Sequence, residues 1–153
     1  MIHQLTPQVW FGNWAAPFEC IGQVGAIINV AHHFSVRRGR NVYWSRLQEL
    51  PHGVLYFRLA RKDQDNVDDR YLTALNSAKV SARSQSTLPI LTHCQMGGHR
   101  GPSSALWLAW MDTDRSRTSF DVLHERVLEL VPGLARGRNY YQSLVAYIRE
   151  RTG

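Results

Sequence analysis

The sequence predicts an α/β domain, a central and mostly parallel sheet flanked by helices on both faces. Two observations lead there. Short apolar, β-branched runs alternate with longer helical patterns, and the chain then becomes helical through its C-terminal half. No repeat, low-complexity tract or Pro/Ser/Gly-rich linker divides its 153 residues, so residues 1–153 read as one domain.

Gln8–Phe11 is the first strand candidate, and Ala15–Gly22 fits a short helix. Val24–Val30 (VGAIINV) is an apolar run of strand length, bounded by Gly22 and the His32/His33 pair, and it reads as a fully buried strand. Val54–Leu59 and Leu88–His93 complete the strands; Pro89 lies near the start of the last, where a missing N–H is tolerated. Between them, Asp68–Val80 places Tyr71, Leu72, Leu75 and Ala78 near one face, with acidic residues at the helix start. Pro102 suits the first turn of a helix running over Ser103–Met111, which is apolar nearly all round and therefore central and buried. Thr118-Ser-Phe-Asp121 matches a capping box opening a helix with Phe120, Leu123, Val127 and Leu130 at core spacing. Pro132-Gly133 ends that helix, and Asn139–Arg149 forms the last.

Composition narrows the function classes. Eighteen Lys and Arg against 12 Asp and Glu give a formal charge of +6, which suits an anionic partner. Nearly all of it is arginine, since Lys62 and Lys79 are the only lysines, and arginine favours planar, bidentate recognition of phosphate or carboxylate. Arg37, Arg38 and Arg40 form the densest basic patch and read as a solvated surface, with recruitment of an anionic substrate as the alternative. Two cysteines, Cys20 and Cys94, make no disulfide framework; both are expected as reduced thiols, with Cys20 in the core. No stretch approaches the ~18 uninterrupted apolar residues of a membrane span, and the N-terminus lacks a signal-peptide pattern. The expectation is a soluble, cytoplasmic monomer with no membrane partner.

The informative segment is Leu88–Ala105, LPILTHCQMGGHRGPSSA, which passes from strand to glycine-bearing loop to buried helix. Chance supplies roughly 0.2 bare cysteine-x5-arginine pairs in such a composition; requiring His93 and Gly97 as well lowers this to on the order of 0.001. A short loop wrapping into a helix N-terminus turns successive N–H groups inward, an anion nest reinforced by the helix dipole. Gly97 and Gly98 allow left-handed backbone and close approach of the anion, Arg100 can fork two bonds onto phosphoryl oxygens, and the same field stabilises a Cys94 thiolate.

HCQMGGHR resembles the HCxxGxxR signature of the cysteine-dependent protein tyrosine phosphatase superfamily, and the chain looks like a small dual-specificity phosphatase over nearly its whole length. VWFGNWAAP and VGAIINVA resemble the family's early segment and its following strand. The Arg126 helix and the start Asn139-Tyr140-Tyr141-Gln142-Ser143-Leu144 resemble its closing helices. The resemblance implies a dual-specificity-phosphatase-like fold and three catalytic residues: Cys94 as nucleophile, Arg100 on the phosphoryl oxygens, and an aspartate general acid about 30 residues earlier. Asp63 is 31 residues before Cys94 and is the favoured acid, with Asp65 as the alternative. Gln95, Met96, Gly97, Gly98 and His99 line the substrate side of the loop, His93 orients the cysteine, and His99 projects toward substrate or solvent. Where the family carries Ser or Thr after the arginine, this chain has Gly101; Ser103, or Ser104, is the candidate replacement hydroxyl.

The implied reaction is metal-free and cofactor-free, since nest and arginine carry the electrostatic stabilisation that Mg²⁺ supplies elsewhere. His32 and His33 lack a second ligand pair and read as capping or surface residues. The expected partner is a phosphorylated protein, with phosphotyrosine foremost and phosphoserine or phosphothreonine as further substrates. The alternatives are the same chemistry on RNA 5′ phosphates or phosphoinositides, or a non-catalytic phosphate-binding pseudo-phosphatase. Nucleic acid is not favoured, because helix spacing assigns Trp107, Trp110, Phe120, Tyr140 and Tyr141 to core or groove walls.

Overall fold

The strands fall where the apolar runs lie. In the computed structural model, which describes residues 1–31, 46–62, 65–96, 99–135 and 139–153, five strands are β1 (Ile2–Gln4), β2 (Val9–Gly12), β3 (Ala26–Ala31), β4 (Leu55–Arg61) and β5 (Ile90–His93). They form one sheet in the order β1-β2-β5-β3-β4, in which β2, β5, β3 and β4 run parallel and only β1 is antiparallel. The predicted α/β class is therefore the observed one. β3 is buried along its whole length, as an apolar run between two parallel neighbours requires, whereas the edge strand β4 alternates intermediate and exposed residues near its end.

Side chains divide the strands between two cores. Val9, Phe11, Ala26, Ile28, Val30 and Ile90 face the larger one, with α2 (Asp69–Gln85), α3 (Arg100–Met111), α4 (Arg117–Leu130) and α5 (Asn139–Arg151). Trp10, Ile27 and Leu91 point the other way onto α1 (Ala16–Glu19) and its flank, in a smaller cluster with Ala16, Cys20 and Val24. Each large side chain fully buried contributes about 1.5–3 kcal/mol, so the four-helix face holds most of the stability. From Arg100 to Trp110 every residue of α3 is buried, matching its all-round apolar sequence, and the indole N–H groups of Trp107 and Trp110 are satisfied by Asn76 Oδ1 and Ser116 O, both at 3.0 Å.

The boundaries differ in instructive ways. α2 continues past Val80 to Gln85, because Arg83 bonds both oxygens of Asp112 at 2.6 and 2.7 Å and Lys79 adds a third bond at 2.9 Å, holding the polar last turn against the end of α3. α4 is capped by Ser116, whose Oγ accepts from Ser119 N, rather than by Thr118; the helix thus begins before the expected capping box. α1 is only four residues long and stops at Cys20, with Gly22 at φ +84° in the turn beyond. β1 escaped the strand pattern because three residues carry no period. His32, His33, Arg37, Arg38 and Arg40 lie outside the described residues.

Candidate active site

The loop after β5 leaves the centre of the sheet between β2 and β3 and enters the buried helix α3. Cys94 sits at its base, 2% exposed. Its N–H donates to Gly12 O at 3.4 Å, and Trp14 N–H donates to Gln95 O at 3.0 Å, so the end of β2 holds the first two loop residues by backbone alone. Gly12 has to be glycine: a Cβ there would lie 2.3 Å from Met1 O and 2.5 Å from Ala16 Cβ. Thr92 Oγ1 donates to Gly101 O at 2.7 Å, and Ser103 Oγ donates to His99 O at 2.6 Å. Four contacts from four different positions thus brace the loop against sheet and helix.

Buried titratable groups surround it in their neutral forms. His93 has Nδ1 3.2 Å from Cys94 O, and burial pushes its imidazole down to about 4, so it is uncharged near neutrality. Burial also raises Tyr71 to about 12 and holds Tyr140 well above its ordinary range, leaving both as hydroxyl donors. Tyr71 OH and Ser104 Oγ lie 2.9 Å apart. Arg100, 7% exposed, is the first residue of α3, and its Nη1 donates to Arg61 O at 2.8 Å. With five donors in a planar fork, that bond fixes the plane of the guanidinium beside the loop. The first N–H groups of α3 have no intrahelical acceptor and lie next to the same loop, the arrangement that favours an anion.

Three expected roles are modified. Ser103 and Ser104 donate their single protons to the carbonyls four residues back, His99 O and Arg100 O, so neither donates to the Cys94 sulfur while those bonds stand. Ser103 supports the loop through its backbone instead. His99 does not project: it is 6% exposed, accepts Tyr141 N–H on Nε2 at 3.1 Å, and meets the Tyr140 ring edge-on at 5.9 Å. Gln95 is also buried, whereas Met96 is 73% exposed and forms the rim. Gly97, Gly98 and Asp63 lie outside the described residues.

Gly101 has a packing reason. A Cβ there would stand 3.3 Å from both Cys94 N and Gly12 O, so the first turn of α3 lies close against the loop base. A β-carbon at this position needs slightly more room than the chain leaves.

The segment that would carry the acid is held differently. Asp65 Oδ2 accepts Lys62 N–H at 2.8 Å, and Asp65 N–H donates to Lys62 O at 3.1 Å, so this carboxylate is turned onto its own backbone. Arg61 spans the segment: Nη2 donates to Asn66 O at 2.6 Å and Asp68 Oδ2 at 3.3 Å, with the guanidinium over the Tyr71 ring at 4.8 Å. A cleft of about 300 Å³ lies alongside, lined by Leu59, Ala60, Arg61, Asp68, Arg70, Tyr71 and Ala74. Sequence reasoning passed over Gly12, Trp14, Arg61 and Thr92, whose parts depend on contacts across the sheet end. Among the described residues no cluster of three His, Cys, Asp or Glu side chains could hold a metal, and no helix is long and apolar enough to cross a membrane.

No protein-family profile and no curated protein sequence matches the chain. Solved structures do match along nearly all of it. Tk-PTP in its active form superposes with a TM-score of 0.68 at 16% identity, over 98% of this chain and 97% of that one. Human DUSP28 gives 0.67 at 16% identity, over 99% and 95%. OH1 from the Orf virus, described as a tyrosine phosphatase with triple substrate specificity, gives 0.57 at 14% identity, over 96% and 82%. At such identities the likeness establishes architecture: the chain has the fold of the small dual-specificity and tyrosine phosphatases.

Proposed function

We propose that the chain is a cysteine-dependent phosphomonoesterase, acting first on phosphotyrosine in proteins and also on phosphoserine and phosphothreonine. The observation that carries this reading is the pairing of Cys94 at the base of a backbone-braced loop with Arg100 at the start of the buried helix that follows it. Binding of phosphate alone needs no cysteine there.

The reaction runs in two displacements. The Cys94 thiolate attacks phosphorus in line, forming an S–P bond as the ester P–O bond breaks. Arg100 and the loop N–H groups hold the equatorial oxygens as charge redistributes, and Asp63 gives its proton to the departing oxygen. Water then attacks the cysteinyl-phosphate, with the ionised Asp63 taking its proton and the thiolate leaving. His93, neutral and buried, keeps the cysteine backbone in place without adding charge to the nest. Ser103 and Ser104 turn their protons to carbonyls and position 101 is glycine, so none of these three gives the departing sulfur the hydroxyl usual in the family. The second displacement is therefore the slower one, and a pre-steady-state burst of product is expected.

The test is hydrolysis of p-nitrophenyl phosphate and of a phosphotyrosine peptide by wild type and Cys94→Ser, with EDTA present and vanadate as inhibitor. Turnover that is lost in Cys94→Ser, blocked by vanadate and indifferent to EDTA is the expected result. Vanadate binding without turnover of either substrate would move the assignment to RNA 5′ phosphates or to a binding module.

A further inference from the structure

The two halves of the site, joined directly by Arg100 and Arg61, meet again on a third element. Tyr141 N–H, one of the α5 amides with no intrahelical acceptor, donates to His99 Nε2 at 3.1 Å on the phosphate-loop side. Because Nε2 accepts, the His99 imidazole is neutral with its proton on Nδ1. Two residues along α5, Ser143 Oγ accepts Val67 N–H at 2.8 Å on the acid-segment side and passes its own proton to Tyr140 O at 2.9 Å. Between these contacts the Tyr140 ring lies edge-on to His99 and 6.0 Å from the guanidinium of Arg61, the residue whose backbone carbonyl accepts from Arg100 Nη1. Tyr147 OH donates to Asp69, tying the same helix to the start of α2.

We infer that the start of α5 is a two-ended strut between the phosphate-loop side at His99 and the segment after β4 at Val67, with His99 and Ser143 as its positioning residues. The inference rests on the phosphatase reading above. In-line phosphoryl transfer needs the nest and the acid held at a set separation, and a misplacement of about 1 Å can cost ~10²-fold in rate. One bond joins the two halves directly, from Arg100 Nη1 to Arg61 O at 2.8 Å, and a single point of contact leaves the segment beyond Arg61 free to swing about it. α5 is bonded to both. Its ends act on different steps, since His99 precedes Arg100 at the start of α3 whereas Ser143 holds Val67 N–H, four residues beyond the proposed acid in sequence.

Leaving-group dependence separates the two ends. p-Nitrophenolate departs with little protonation, whereas phenolate and a tyrosyl oxygen need the acid. Ser143→Ala is expected to lose about tenfold more kcat on phenyl phosphate than on p-nitrophenyl phosphate, and Ser143→Thr, which keeps the hydroxyl, to restore the wild-type ratio. His99→Leu is expected to lower kcat/KM on both esters alike and weaken vanadate binding about tenfold; His99→Gln, whose Oε1 can accept from Tyr141 N–H, to recover most of it. An unchanged leaving-group ratio in Ser143→Ala, or His99→Gln no better than His99→Leu, would overturn the strut. If the wild type shows no Cys94-dependent turnover, the phosphatase reading fails while the strut is still decided by the vanadate affinities of the His99 variants and by amide exchange. In exchange, Ser143→Ala must speed Val67 N–H for the strut to stand.

Discussion

The two loops proposed to share the chemistry are built on opposite plans. The Cys94–Arg100 loop leaves a central strand and is bound by main-chain atoms of β2, by Thr92 on its own strand and by the first turn of α3. The segment after Arg61 leaves an edge strand and is held by side chains, through Arg61, Asp65, Asp68 and Ser143. A nest for an anion has to be preorganised, because reorganising dipoles in the transition state costs rate. A proton donor has to be held within reach of the leaving oxygen, and side-chain ties such as those from Arg61 and Ser143 serve that need at a sheet edge.

The largest expected effect belongs to the first loop. Cys94→Ser should abolish turnover of p-nitrophenyl phosphate, a loss of at least ~10⁴-fold in kcat measured by initial rates, because no other group replaces the covalent step. Asp63→Asn should cost about 10²–10⁴-fold on a phosphotyrosine peptide and clearly less on p-nitrophenyl phosphate. Asp65→Asn should cost far less on either, since that carboxylate is bonded to Lys62 N–H. Equal losses for the two aspartates would erase the distinction drawn between them.

Most of the first loop could be read from the chain and much of the second could not, for the same reason. Cys94, the glycines, Arg100 and the buried helix are contiguous, and backbone-bound loops need particular residues at fixed offsets. Strands β2, β3 and β5 were legible as apolar runs for a similar reason, since strands buried on both faces are apolar almost throughout, and the half-exposed edge strand β4 kept enough of such a run to be found. The bonds from Arg61 to Asn66 and from Val67 to Ser143, 76 residues apart, obey no local spacing and leave no pattern. The inward turn of His99 depends on α5, which arrives 42 residues later, so a polar residue in a loop gave the wrong expectation of a projecting side chain.

Two smaller effects sharpen the contrast. His93 is neutral and buried, with its folded-state value near 4 against 6.5 unfolded. Below pH 6.5 the unfolded chain takes up a proton that the folded chain refuses, so this stability is lost as pH falls from about 6.5 to about 4. Urea unfolding at pH 7 and pH 5 should differ by about 2 kcal/mol from this residue, and His93→Gln should remove that share of the difference. Gly101→Ala should lower stability by about 1 kcal/mol and Tm by a few degrees, because its Cβ meets Cys94 N and Gly12 O at 3.3 Å. A neutral or stabilising result would mean that the loop base gives way more easily than its hydrogen bonds imply.

The central claim is that Cys94 takes the phosphoryl group. Rapid-quench mass spectrometry of the enzyme with a phosphotyrosine peptide tests it most directly. The account predicts one added phosphoryl group on the Cys94 peptide, accumulating in a burst and absent from Cys94→Ser. Full steady-state turnover with no covalent phosphoryl group on that peptide at any time would contradict it.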